Sequence, residues 1–151
     1  MEIVKNEPKY WEFIRTLRNM EGIREGFIQQ EIISKEHHEE YMKKKSKYFY
    51  ILLDKSVPIC YIGIINNDIR IATHPDHQGK GVGSFAVNEI MKLHPEAIAK
   101  VKIENKASLR MFEKCGFEIL LVKEISPQSK CLLEFSCATN FWNKVYSRST
   151  H

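Results

Sequence analysis

Ile69-Arg70-Ile71-Ala72-Thr73, followed by Gln78-Gly79-Lys80-Gly81-Val82-Gly83, is the stretch on which the reading of this chain turns. The first part is a short β-rich run. Ser84 to His94, just beyond the second part, has helical character. A glycine-spaced loop between a strand and a helix presents backbone N–H groups to an anion, and the positive end of the helix dipole adds to the attraction. Glycine lets the backbone turn tightly and come close to a phosphate. The segment is therefore expected to hold a pyrophosphate. The plainer reading is a tight glycine turn that only caps a helix.

Two familiar phosphate loops fail here. A P-loop needs G-x-x-x-x-G-K-[ST], but Gly83 is followed by Ser84-Phe85 with no lysine. A Rossmann loop needs G-x-G-x-x-G at its first βα turn, and Gly79-Lys80-Gly81-Val82-Gly83 has other spacing. What remains is Q/R-x-x-G-x-G/A after a strand. A second motif follows: Asn105-Lys106-Ala107-Ser108-Leu109-Arg110-Met111-Phe112-Glu113-Lys114-Cys115-Gly116-Phe117. There Asn105 leaves a strand and caps a helix, Gly116 ends that helix, and Phe117 starts another strand.

Together, and in this order, the two motifs resemble those of the GCN5-related N-acetyltransferases: the coenzyme A loop, then N-x-x-[AS]-x-x-x-Y-x-x-x-G-F. The resemblance covers residues 48 to 135 well, the first 45 more loosely, and the last 15 not at all. It implies an α/β (α+β) fold with a mixed central sheet and helices on both faces. It implies acetyl-CoA as cosubstrate and no metal. Carried onto this chain, backbone groups of Ile71, Ala72 and Thr73 pair with the pantetheine. N–H groups from Gln78, Gly79, Lys80, Gly81, Val82, Gly83 and Ser84 take the pyrophosphate, with Lys80 adding charge. Asn105 bonds the pantetheine arm.

Composition agrees with such a chain. Its 151 residues suit one domain with a real core, and a net charge of +4 is mild. No apolar run approaches membrane length, and Met1 to Glu7 is too charged for a signal peptide. Cys60, Cys115, Cys131 and Cys137 lack metal-ligand spacing and read as buried thiols, which points to the cytoplasm. Lys43-Lys44-Lys45-Ser46-Lys47 reads as a solvated helix end rather than a nucleic-acid surface.

The apolar spacing predicts the order β-α-α-β-β-β-α-β-α-β-β. Glu2 to Lys5 is the first strand, and Pro8 opens a helix carrying Trp11, Ile14 and Leu17 on its core face. Ser34 caps a polar helix over Lys35 to Lys45. Asn66-Asn67-Asp68 is a hairpin turn. Residues 1–137 form the acetyltransferase domain, and 138–151 a polar tail in which Phe141, Trp142 and Tyr146 stand out.

Phe112 occupies the position where the family has a tyrosine that protonates the coenzyme A thiolate. Phenylalanine has no proton to give. Ser108, one helical turn earlier, is the candidate replacement, against a plain capping role. The family's frequent glutamate base is also missing, with Lys100 at its place. For the acceptor, Leu17-Arg18-Asn19 and Ser34 to Tyr41 resemble the subgroup that acetylates nucleotide-linked 4-amino-4,6-dideoxy sugars, the pseudaminic acid pathway type. That likeness implies substrate contacts from Arg18 and His38, with Asn66 and Asn67 facing the sugar. Two alternatives stand: a peptide, protein or other small amine as acceptor, to which the acidic run Glu36 to Glu40 speaks, and a non-catalytic acyl-CoA-binding domain.

Overall fold

The computed structural model describes residues 1–27, 30–124 and 131–137. Its core is one seven-stranded sheet in the order β1-β2-β3-β4-β5-β7-β6. The strands are β1 (Glu2–Lys5), β2 (Phe49–Asp54), β3 (Val57–Ile65), β4 (Asp68–Thr73), β5 (Ile98–Lys102), β6 (Phe117–Glu124) and β7 (Cys131–Cys137). Four helices pack on them: α1 (Pro8–Asn19), α2 (Lys35–Lys45), α3 (Val82–Leu93) and α4 (Lys106–Lys114). This is the element order expected from the apolar spacing.

Side-chain alternation divides the core in two. Leu52, Cys60, Ile62 and Ile69 face α3 and α4, where Val82, Ala86, Ile90 and Phe112 meet them. Ile51, Leu53, Tyr61, Ile65 and Ala72 face α1 and α2, against Ile14, Leu17 and Met42. Ser34 does cap α2, its hydroxyl accepting from His37 N–H at 3.2 Å. Asn66 and Asn67 both take the left-handed conformation that a tight hairpin requires and asparagine tolerates.

The pairing between β4 and β5 positions the site. All other neighbours in the sheet are antiparallel and paired along several residues. β4 and β5 run parallel and meet in register at one position, Asp68 with Ile98. Beyond it the strands diverge toward Thr73 and Lys102. The sheet thus has a cleft, closed at the β3–β4 turn and open at the ends that lead into α3 and α4. Backbone groups along the cleft lack the ladder partners that such groups need.

Two expectations shift in detail. α3 begins at Val82, ahead of the predicted Ser84, so Val82, Gly83 and Ser84 form its first turn. Between α1 and α2, the described residues include a 3-10 turn at Arg24–Gly26. The connection between β6 and β7 and the tail from residue 138 lie outside the described residues, as do the side chains of Cys131 and Cys137.

Candidate active site

The open end of the cleft is bordered by the two motifs. β4 runs into a 3-10 turn at Pro75–His77, where His74 Nδ1 accepts from Asp76 N–H at 3.2 Å. Gln78 Nε2 donates back to Thr73 O at 3.1 Å, which fixes the loop's take-off from the strand. Gly79 and Gly81 have φ of 75° and 80°, and a Cβ on either would meet nothing within 4 Å. Space is open at both, and only the backbone conformation demands glycine there. Gly81 is the N-cap of α3 and no side chain caps that helix. The first intrahelical bond is Phe85 N–H to Gly81 O at 3.0 Å. Val82, Gly83 and Ser84 therefore present the unpaired N–H groups that every helix start leaves over. Open space, unpaired donors and a helix dipole fit a pyrophosphate. Lys80 is exposed beside them.

The second motif closes the other side of the mouth. Asn105 caps α4, its Oδ1 accepting from Ser108 N–H at 3.3 Å. Its amide nitrogen lies against Gly26, so the turn at Arg24–Gly26 crosses the end of β5. Lys102 is buried there and donates from Nζ to Glu25 O at 3.0 Å. α3 and α4 are tied together by Cys115, whose Sγ donates to Ser84 O at 3.8 Å. Burial pushes the Cys60 thiol up to about 12, so it stays protonated.

Phe112 is a core residue. It is 3 % exposed, with ring centroids 5.2 Å from Phe117 and 6.4 Å from Phe135. Ser108 is half-buried in the first turn of α4, and its N–H is committed to the Asn105 cap. Lys100 forms an ion pair with Asp68 at 3.2 Å near the closed end of the cleft.

The expected acceptor residues separate. Arg18 is half-buried near the end of α1, its guanidinium 4.9 Å from the centre of the Phe27 ring. His38 is 4 % exposed, with Nε2 2.8 Å from Trp11 O. Its ring joins α2 to α1, and this corrects the expectation of a substrate contact: the face it presents is already packed. Asn66 and Asn67 are corrected too. They form the turn at the closed end, where Asn67 O accepts from Ile98 N–H and its Nδ2 donates to Glu96 O, both at 2.9 Å. Roughly 13–23 Å of strand separates them from Ile71 to Thr73.

Sequence reading missed Arg70. It shares the α1-facing side of β4 with Asp68 and Ala72, and is half-buried. Two charged residues alternating into a buried strand were the signal. Between α1 and the start of the phosphate loop lies a cavity of about 250 Å³ lined by Glu12, Phe13, Thr16, Leu17, Met20 and His74. Among the described residues, no group of three or more His, Cys, Asp or Glu side chains could hold a metal, and no helix is long and apolar enough to cross a membrane.

Comparison with known proteins agrees with this fold. The sequence model of the acetyltransferase (GNAT) family matches residues 11–117. Among solved structures, the ribosomal-protein-alanine N-acetyltransferase of Brucella melitensis is similar with a TM-score of 0.78 at 12% identity, covering 89% of this chain and 98% of that one. YncA of Salmonella typhimurium, solved with acetyl-CoA, gives 0.77 at 14% identity, with 89% and 91% covered. The spermidine N-acetyltransferase of Vibrio cholerae, solved with CoA and spermine, gives 0.74 at 20% identity, with 89% and 92% covered. A search of curated protein sequences finds no match.

Proposed function

The chain belongs to the acetyltransferase (GNAT) family, and on that premise we propose that this acetyl-CoA-dependent N-acetyltransferase acts on the amine of a nucleotide-linked amino sugar. Acetyl-CoA supplies an activated acyl group. The chain's own contribution is to hold and align it. Backbone groups of Ile71, Ala72 and Thr73 take the pantetheine amides. The N–H groups of the loop and first turn of α3 take the pyrophosphate, with the Lys80 ammonium beside them. Asn105, with Oδ1 spent on the helix cap, offers its amide N–H groups to the pantetheine arm. The acceptor nitrogen then attacks the thioester carbonyl, forming C–N as C–S breaks. Phe112 cannot protonate the leaving thiolate. A thiol of this kind has a pKa near 8.5, about that of cysteine, so it departs readily with water or an N–H as partner. Ser108 is the nearest hydroxyl in the motif and the candidate donor.

Arg18 carries the acceptor reading. Its guanidinium is half-buried, stacked on Phe27, and among the described residues no carboxylate lies within ion-pair distance of it. A planar fork of donors suits a diphosphate. A ring amine on a sugar is less basic than a lysine amine, so more of it is neutral near pH 7, which fits a cleft without a strong base. Spermidine is the contrasting acceptor, because a polycation is repelled by Arg18. The unbridged thiols of Cys60 and Cys115 go with a cytoplasmic place of action. Thiol release from acetyl-CoA, measured with UDP-linked amino sugars, spermidine and alanine-initiated peptides, tests the proposal. Turnover with the sugar nucleotide should exceed the others, and turnover confined to spermidine or peptides ends it.

A further inference from the structure

We infer that Arg70, acting with Arg18, forms an anion seat on the α1-facing side of the cleft and restricts acceptors to amines that carry a phosphate or carboxylate. The inference deepens the acceptor reading above and rests on its direct acetyl transfer, but does not need the acceptor to be a sugar.

The seat follows from the alternation of β4. Asp68, Arg70 and Ala72 share one face, opposite Ile65, Gly63 and Tyr61 of β3. Arg70 lies across from Gly63, which presents no side chain; the Phe49 ring packs over that glycine instead. The carboxylate nearest Arg70 along its own strand, Asp68, is held by Lys100 at 3.2 Å. Across the cleft, Lys100 and Lys102 point to this same side, and Glu134 of β7 stands opposite Lys100 in register. Glu25, on the crossing turn, accepts from Gly22 N–H. Among the described residues, then, no hydrogen bond or ion pair engages the Arg70 guanidinium, and Arg18 has only the Phe27 ring. The cations Arg18, Arg70, Lys100 and Lys102 outnumber the carboxylates Asp68, Glu134 and Glu25.

A second observation points to the same place. Tyr61, 1 % exposed, turns its hydroxyl to this side, and that hydroxyl is enclosed with no hydrogen-bond partner. Buried hydroxyls are normally satisfied, and an orphan one costs about 1–3 kcal/mol. Burial raises its pKa, so it is a neutral donor, while Arg18 and Arg70 both act on it in the opposite sense. Two guanidiniums and a donor hydroxyl on one side of the sheet, none of them engaged by an acceptor among the described residues, form a site short of one anion. Half-buried cations of like sign repel, and an anion between them removes that repulsion. β4 also carries the backbone groups assigned to the pantetheine, so an anion seated on Arg70 places its amine beside the thioester.

Arg70→Met keeps the length of the side chain and removes its charge. With the acidic acceptor that the wild type uses, whether a sugar nucleotide or an amino acid, its KM should rise by about tenfold or more, the worth of a charged hydrogen bond. The KM for acetyl-CoA should stay unchanged, and Arg70→Lys should restore part of the loss. In CoA-saturated protein, where the phosphate loop is occupied, inorganic pyrophosphate should raise the melting temperature of the wild type and not of Arg70→Met. An equal shift in both, or none in the wild type, overturns the seat. If Arg70→Met acetylates a sugar nucleotide with unchanged KM, the seat falls while the sugar reading stands. If only acidic amino acids are acetylated, and Arg70→Met impairs them, the sugar reading falls and the seat stands.

Discussion

Phe112 presents the sharpest contrast between a motif position and its local role. The ring is locked between Phe117 and Phe135, so its first duty is packing. Phe112→Ala should cost about 3–5 kcal/mol in chemical unfolding, the usual price of an aromatic cavity. Phe112→Tyr should fold and keep its rate of acetyl transfer within a few-fold, or exceed it; a large loss in a well-folded protein would show that an apolar ring is needed at that point. His38 makes a different prediction. Burial holds its pKa below the ordinary 6.5, partly offset by the bond to Trp11 O and by Glu12, while Arg15 and Arg18 push it further down. The folded protein therefore binds this proton less readily than the unfolded chain. The neutral ring costs nothing above about pH 6.5, and stability declines as pH falls below that value. Urea midpoints measured on both sides of it should separate for the wild type and converge for His38→Gln, if Gln keeps the bond to Trp11 O.

At the scale of elements, the start of α3 and the middle of β3 depend on glycine for opposite reasons. At Gly81 the space is open and φ is 80°. Gly81→Val strains the backbone and places a branched side chain in the space proposed for the pyrophosphate, so it should abolish the melting shift produced by acetyl-CoA while costing the apoprotein less. At Gly63 the backbone is ordinary, but a Cβ would lie 2.5 Å from the Phe49 ring, which is itself buried. Gly63→Ala should lower stability by about 1–3 kcal/mol, as overpacking does. Elements such as these were largely legible in sequence. Apolar alternation marked the strands, Ser34 and Asn105 marked helix starts, and Pro8 marked α1, because each acts through its immediate neighbours. The acceptor side was not legible. Which way His38 faces depends on how α1 and α2 pack, and the distance of Asn66 and Asn67 from the cleft mouth depends on where β5 joins β4. Both are set by partners far away in sequence. The alternation of Asp68 and Arg70 in β4 was a local signal, but what leaves the Arg70 guanidinium without a partner was not, because Lys100, which takes Asp68, lies far away in sequence.

For the molecule as a whole, the sheet is two antiparallel blocks, β1 to β4 and β5-β7-β6, that meet in register at Asp68 and Ile98. Helix packing across α3 and α4 does much of the joining. Hydrogen exchange should therefore find β4 and β5 amides near the mouth opening more readily than those inside either block, and acetyl-CoA should slow them. Equal protection with and without acetyl-CoA would contradict that picture. The consequence reaches into kinetics. In the proposed binding mode acetyl-CoA acts as the missing strand, its amides supplying the ladder that β4 and β5 do not give each other. An acceptor arriving first would meet a wall still incomplete, so binding should be ordered, with acetyl-CoA first on and free CoA last off. Product inhibition should accordingly be competitive between CoA and acetyl-CoA and noncompetitive between CoA and the acceptor.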